Sequence, residues 1–207
     1  LDQAGESVVP GQKLPLQAEI IKTADGVTAK GFQTSDGTPP RGQYGAEALA
    51  AHEPKDYTVE LWNRAQPTKE VTLPYAYAVP QEYSWAMSRL VRHGVQIQQL
   101  RDDTSAQVET YRISSLENQA DFQRHDMLKL ESEAERKEIT LKQGSYIVQT
   151  QQPLGVLGGY MLEPMADDSL AVWNFFDPDL DAGDQFPVIR ITQPLPEEAL
   201  RQLDSIR

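Results

Sequence analysis

LPYAYAVPQEYSWAMSRLVRHGVQIQQL, residues 73–100, reads as a strand, a helix and a second strand in succession. Tyr75, Tyr77 and Val79 alternate with Ala76 and Ala78, the period of two that marks a short buried strand. Pro80 ends that ladder and can open a helix, where its missing N–H is not needed. Tyr83, Ala86, Met87, Leu90 and Val91 then fall on one helical stripe. His93 suits the last turn, and Gly94 suits the left-handed position just beyond it. Val95, Ile97 and Leu100 begin the next strand. A unit this short normally carries its two strands parallel, joined by a right-handed crossover. It describes a scaffold and names no reaction.

Upstream, residues 1–13 are polar and punctuated by Gly and Pro, as expected of a linker or arm. Leu14, Leu16, Ala18 and Ile20 alternate as a strand. Asp25-Gly26 is a two-residue turn signal, so 27–32 is expected to return as the partner strand of a hairpin. Residues 33–55 form a long stretch of Gly, Pro and small polar residues, expected to be a functional or mobile loop. Tyr57, Val59 and Leu61 alternate again. Downstream, 108–113 predicts a strand with Glu109, Tyr111 and Ile113 on one face and Val108, Thr110 and Arg112 on the other. In 114–142 helix propensity is high over 131–138, yet Leu128, Leu130, Ser132 and Ala134 keep a period of two, which leaves a helix and a strand hairpin both open. Pro153 can open a short helix in which Gly155, Gly158 and Gly159 permit close backbone approach. Val188 and Ile191 lie in a further strand, and Pro196, Glu197 and Glu198 make a good first turn for a terminal helix with Leu200, Leu203 and Ile206. The fold class is α+β and strand-rich. An N-terminal β region spans 14–72, and an α/β region with a C-terminal helix spans 73–207.

The chain has 207 residues, 39% of them hydrophobic, and a net charge of −12. That is enough for one large domain or two small ones. No basic stripe is present to neutralise phosphates or to dock on an anionic surface, which argues against nucleic-acid partners. No apolar run approaches membrane-spanning length, so no membrane insertion is expected. Cysteine is absent, which removes disulfides, thiol nucleophiles and thiolate-ligated zinc together. The chain starts at Leu1 without Met, as expected of a processed protein or an excised piece.

His52, His93 and His125 lie outside HExxH, HxxE or HxH spacing, and a lone His supplies one zinc ligand of at least three. Asp177, Asp179, Asp181 and Asp184 imitate the start of a calcium loop, making Asp177, Asp179 and Asp181 weak calcium candidates. The EF-hand pattern then requires Gly and Glu where Ala182 and Val188 stand, so a solvated acidic turn is the default. Gly155–Gly159 matches neither phosphate-loop pattern. Glu163, between Leu162 and Pro164, is the most interesting carboxylate, with a structural cap favoured over a catalytic acid. Tyr44 and Trp62 could line a binding face, although core packing is the commoner fate of such residues.

Several blocks together carry a resemblance: LPYAYAVP followed by a helix and HGV, VETYRI, GSYIV, QQPL, and LEP-x2-DDSL-x2-WNFFD. In order and spacing, across 57–192, they resemble a region of bacterial zinc carboxypeptidase-like proteins, the carboxypeptidase A-type metallopeptidases. There this region lies C-terminal to the catalytic domain. The resemblance is what favours strands over 122–148, and with them a strand hairpin in 114–142. It implies a parent that removes C-terminal residues from peptides, holds zinc through an HxxE pair and a distant His, uses a Glu as general base, and is secreted or periplasmic. Neither HxxE nor a suitable remote His occurs here, so no catalytic residue, cofactor site or metal site carries over. The expectation is a non-catalytic accessory domain whose partner is the catalytic domain of the same parent. The alternatives are a free-standing peptide- or glycan-binding module and, last, an autonomous hydrolase built around Glu163.

Overall fold

The computed structural model describes residues 8–33, 52–119, 122, 124–176 and 180–203. They fall into two units, Ala18–Gln66 and a larger one made of Leu1–Gln17 with Pro67–Arg207.

The larger unit is built on one seven-stranded sheet. In chain order it contains β3 (Ala76–Val79), α1 (Ser84–Arg92), β4 (Gln98–Leu100), β5 (Thr104–Asn118), β6 (Leu128–Leu141), β7 (Tyr146–Gln149), α2 (Gly155–Leu162), β8 (Gln185–Ile191) and β9 (Leu200–Gln202). The spatial order is β6-β5-β8-β3-β7-β4-β9, and every described neighbour pair is antiparallel. β3 and β4 are not neighbours, because β7 lies between them and runs antiparallel to both.

Alternation along β3 sorts the core into two layers. Tyr77 and Val79 join the layer that holds Ala86, Met87 and Leu90 of α1 with Met161 and Leu162 of α2. Ala76 and Ala78 face the opposite layer with Val108, Ile147 and Ile191. The helix over 84–92 is preceded by a 3-10 turn, Gln81–Tyr83, and buries Ala86, Met87 and Leu90 of its expected stripe. Gly94 closes it at φ +88°. β5 and β6 form a long hairpin, so the period of two in 128–134 prevails over local helix propensity.

The expected terminal helix is not what forms. Glu197–Ala199 make a single 3-10 turn, and Leu200–Gln202 become β9. Leu100 pairs with Leu200, Gln99 with Arg201 and Gln98 with Gln202. The open edge of β4 offers backbone partners, and Leu200 is buried there, which together outweigh helix propensity. Residues 204–207 lie outside the described part. No helix among the described residues is long and apolar enough to cross a membrane.

The smaller unit is a two-stranded ribbon built from β1 (Lys13–Gln33) and β2 (Glu53–Thr72), whose remaining residues belong to the larger unit. The hairpin expected at Asp25-Gly26 is therefore corrected: β1 runs straight through it. A tight reversal of that type needs φ > 0 at both central residues, and of the two only Gly26 has it. One left-handed glycine gives a local irregularity in a continuous strand. The expected long loop is shortened by the strands at both of its ends, and its centre, 34–51, lies outside the described residues, Tyr44 included.

Candidate functional site

Among the described residues Glu163 is the one fully buried carboxylate, with none of its surface exposed. It occupies the C-terminal cap of α2, where its backbone N–H donates to the Gly159 carbonyl. Its side chain turns inward to groups delivered by three strands. The Tyr77 hydroxyl, from β3, donates to Oε1 at 2.7 Å. The Tyr111 hydroxyl, from β5, donates to Oε2 at 2.6 Å. Arg190, from β8, places Nε 3.2 Å from Oε1. That N–H is not aimed well enough for a hydrogen bond, so the attraction there is coulombic.

Arg190 ties the cluster together. Nη1 donates to the Tyr111 hydroxyl at 2.9 Å and lies 3.0 Å from Glu109 Oε2. Nη2 donates to the Thr72 carbonyl. Glu109 in turn accepts from the exposed Arg136 at 2.7 Å. Charges therefore alternate Arg136, Glu109, Arg190, Glu163 from the surface into the core. A buried charge survives only with such partners, because isolated it costs several kcal/mol or more.

Burial, the largest influence, raises the Glu163 pKa above its ordinary value, while Arg190 and the two phenols pull it down. Burial also raises Tyr77 and Tyr111, and the neighbouring carboxylate adds to both shifts. The phenols therefore keep their protons and remain donors. For Arg190, burial alone would lower the pKa, but Glu163 and the tyrosines outweigh it and the guanidinium stays charged. Each carboxylate oxygen already has a donor and neither faces solvent. General acid or base chemistry needs such an oxygen within reach of a substrate. The arrangement instead clamps the end of α2 to β3, β5 and β8.

The strand alternation legible in 108–113 places Glu109 and Tyr111 on this same face. Arg190 escaped the sequence reading, though a signal existed. Phe186 and Val188 point into the core, and Arg190 continues their period of two in β8.

The other candidates do not gather. His93 is the exposed cap of α1, and His125 lies against Trp173 with ring centroids 5.0 Å apart. His52 is half-buried. Among the described residues no three His, Asp or Glu side chains are grouped so as to hold a metal ion. Of the calcium candidates, Asp177 and Asp179 lie outside the described residues. Asp181 is exposed in a turn, its N–H donating to Asp184 Oδ2 at 3.0 Å. Trp62 is 55% exposed, against the expectation of core packing.

Two grooves open on the sheet face opposite the helices. One, of about 380 Å³, has Ala78, Ile139, Leu141 and Ile189 as its apolar floor, with Glu82 and Lys142 among its polar groups. The other, of about 220 Å³, lies between Tyr75, Ile147, Leu195 and Leu200. Neither brings two carboxylates together.

No protein-family model matches the chain, and no solved structure does. The chain is 28% identical over 139 residues to Carboxypeptidase 2 of Trichophyton rubrum, covering 66% of the chain and 26% of that protein. Carboxypeptidase 2 of Trichophyton tonsurans is 27% identical over 139 residues, with the same coverage. Two thirds of the chain is thus similar to fungal carboxypeptidases, and the match spans about a quarter of their length.

Proposed function

We propose that this chain is a non-catalytic accessory domain of a carboxypeptidase-like hydrolase. The zinc and the peptide hydrolysis then belong to a separate catalytic domain of the same parent, which is the partner on which this domain packs. The observation that carries the reading is the pattern of similarity: most of this chain matches carboxypeptidases while accounting for a small part of them. The state of Glu163 supports it, since the most enclosed carboxylate among the described residues is held by tyrosines and an arginine and has no oxygen to spare.

The purified chain should release no C-terminal residue from peptides, with or without added zinc. The reading frame that contains it should also encode an HxxE-bearing segment. Hydrolysis by this chain alone, lost in Glu163→Gln, would overturn the proposal, as would a reading frame without such a segment.

A second reading is a free-standing peptide- or glycan-binding module. The exposed Trp85 favours it, lying 5.8 Å from Phe175 between ring centroids, with the Arg89 guanidinium 5.1 Å from the same ring. A saturable rise in melting temperature with an oligosaccharide or peptide, lost in Trp85→Ala, would select this reading.

A further inference from the structure

Among the described residues the ribbon of β1 and β2 has no second layer of its own, and a two-stranded sheet alone is marginal in water. Within Ala18–Gln66 the described residues include none that is buried. The two most exposed large apolar residues of the whole described chain lie here, Ile20 at 56% and Trp62 at 55%.

Hydrogen bonds show which side chains share a face. Glu60 accepts from Lys22 Nζ through Oε1 at 3.2 Å and from Trp62 Nε1 through Oε2 at 3.0 Å. Ile20 stands two residues before Lys22 in the same strand and so points the same way. One face thus presents Ile20, Lys22, Glu60 and Trp62. Leu61, between Glu60 and Trp62, points to the other.

That face is self-complementary: an aliphatic side chain and an aromatic one, a cation and an anion. An isologous two-fold contact needs such a patch, because each group must meet its complement on the partner. The charge balance agrees. Two copies of a chain carrying −12 repel each other over most of their surface. On the ribbon's described residues four basic side chains nearly offset five acidic ones, so repulsion is weak there.

We propose that this face is a self-association surface on which two copies of the chain pack. Trp62 covers the partner's Ile20, and Lys22 meets the partner's Glu60. The inference is independent of the accessory-domain reading.

Light scattering and sedimentation of the purified chain over a concentration series test it. The wild type should dimerise with rising concentration. Trp62→Glu should weaken the dimer by roughly thirtyfold or more, as expected for a central aromatic anchor. Leu61→Glu, on the opposite face, should leave it intact. Lys22→Glu and Glu60→Lys should each be monomeric alone, yet dimerise when mixed, because mixing restores both opposite-charge contacts. Circular dichroism would confirm that each variant keeps its fold. If Trp62→Glu does not fold, the charge variants decide the matter. A wild type that stays monomeric at the highest soluble concentration overturns the proposal. So does equal weakening by Leu61→Glu, or a mixture of the charge variants that stays monomeric.

Discussion

Arg190 and Glu163 meet in the core with Nε 3.2 Å from Oε1, joining the last long strand of the sheet to the end of α2. Their side chains are 6% and 0% exposed, so neither charge can fall back on water. Removing one partner strands the other, which is the costly case for a buried pair. Arg190→Met should therefore destabilise the protein by about 3–5 kcal/mol in urea unfolding. The double variant Arg190→Met/Glu163→Gln should lose less than the two single losses combined. Additive losses would mean that the two residues act separately.

The tyrosines should rank. Tyr77→Phe removes one donor to Glu163. Tyr111→Phe removes a donor to Glu163 and also the acceptor of Arg190 Nη1. Each should cost about 1–3 kcal/mol, with Tyr111→Phe the larger. Equal or inverted losses in chemical denaturation would contradict the assigned geometry.

Gly155 should not tolerate a methyl group. A Cβ there would lie 1.7 Å from the Thr150 carbonyl oxygen, a backbone atom that cannot swing aside. The gain of about 1 kcal/mol in helix propensity cannot offset that clash. At Gly158 the nearest atoms are side-chain methyls of Val95 and Val148 at 3.2 and 3.3 Å, which can give. Thermal melts should show a large loss for Gly155→Ala and a small one for Gly158→Ala. A more stable Gly155→Ala would be inconsistent with this packing.

The pH dependence has a definite sign. Burial holds the Glu163 pKa above its ordinary value of 4.5, so the folded protein keeps this proton to higher pH than the unfolded chain does. The stability linked to that proton is complete below about 4.5 and is lost as pH rises through the raised value. The unfolding free energy of wild type minus that of Glu163→Gln should fall over that range. A difference that grows with pH would show that Arg190 and the phenols outweigh burial.

Legibility followed how local each decision is. Tyr77 with Val79, and Glu109 with Tyr111, declare their shared faces through alternation, which depends on backbone geometry alone. Glu163 stood out between apolar neighbours, though not with its partners: Tyr77 is 86 residues away in sequence and Tyr111 is 52. Arg190 was hidden because an arginine in a strand most often faces water. Its inward register follows Phe186 and Val188, a relation that needs the buried face to be known first.

By itself, the amino-acid sequence determined the strands at 76–79 and 108–113, the α1 stripe and the close-packing glycines, because period and steric size act within a few residues. Tertiary structure decided that Asp25-Gly26 is passed over, that 200–202 extends as a strand, and that β7 separates β3 from β4. Those outcomes turn on which distant backbone edge is open and which face is already covered. They decide where Glu163 finds its tyrosines and its arginine, and no local propensity encodes that.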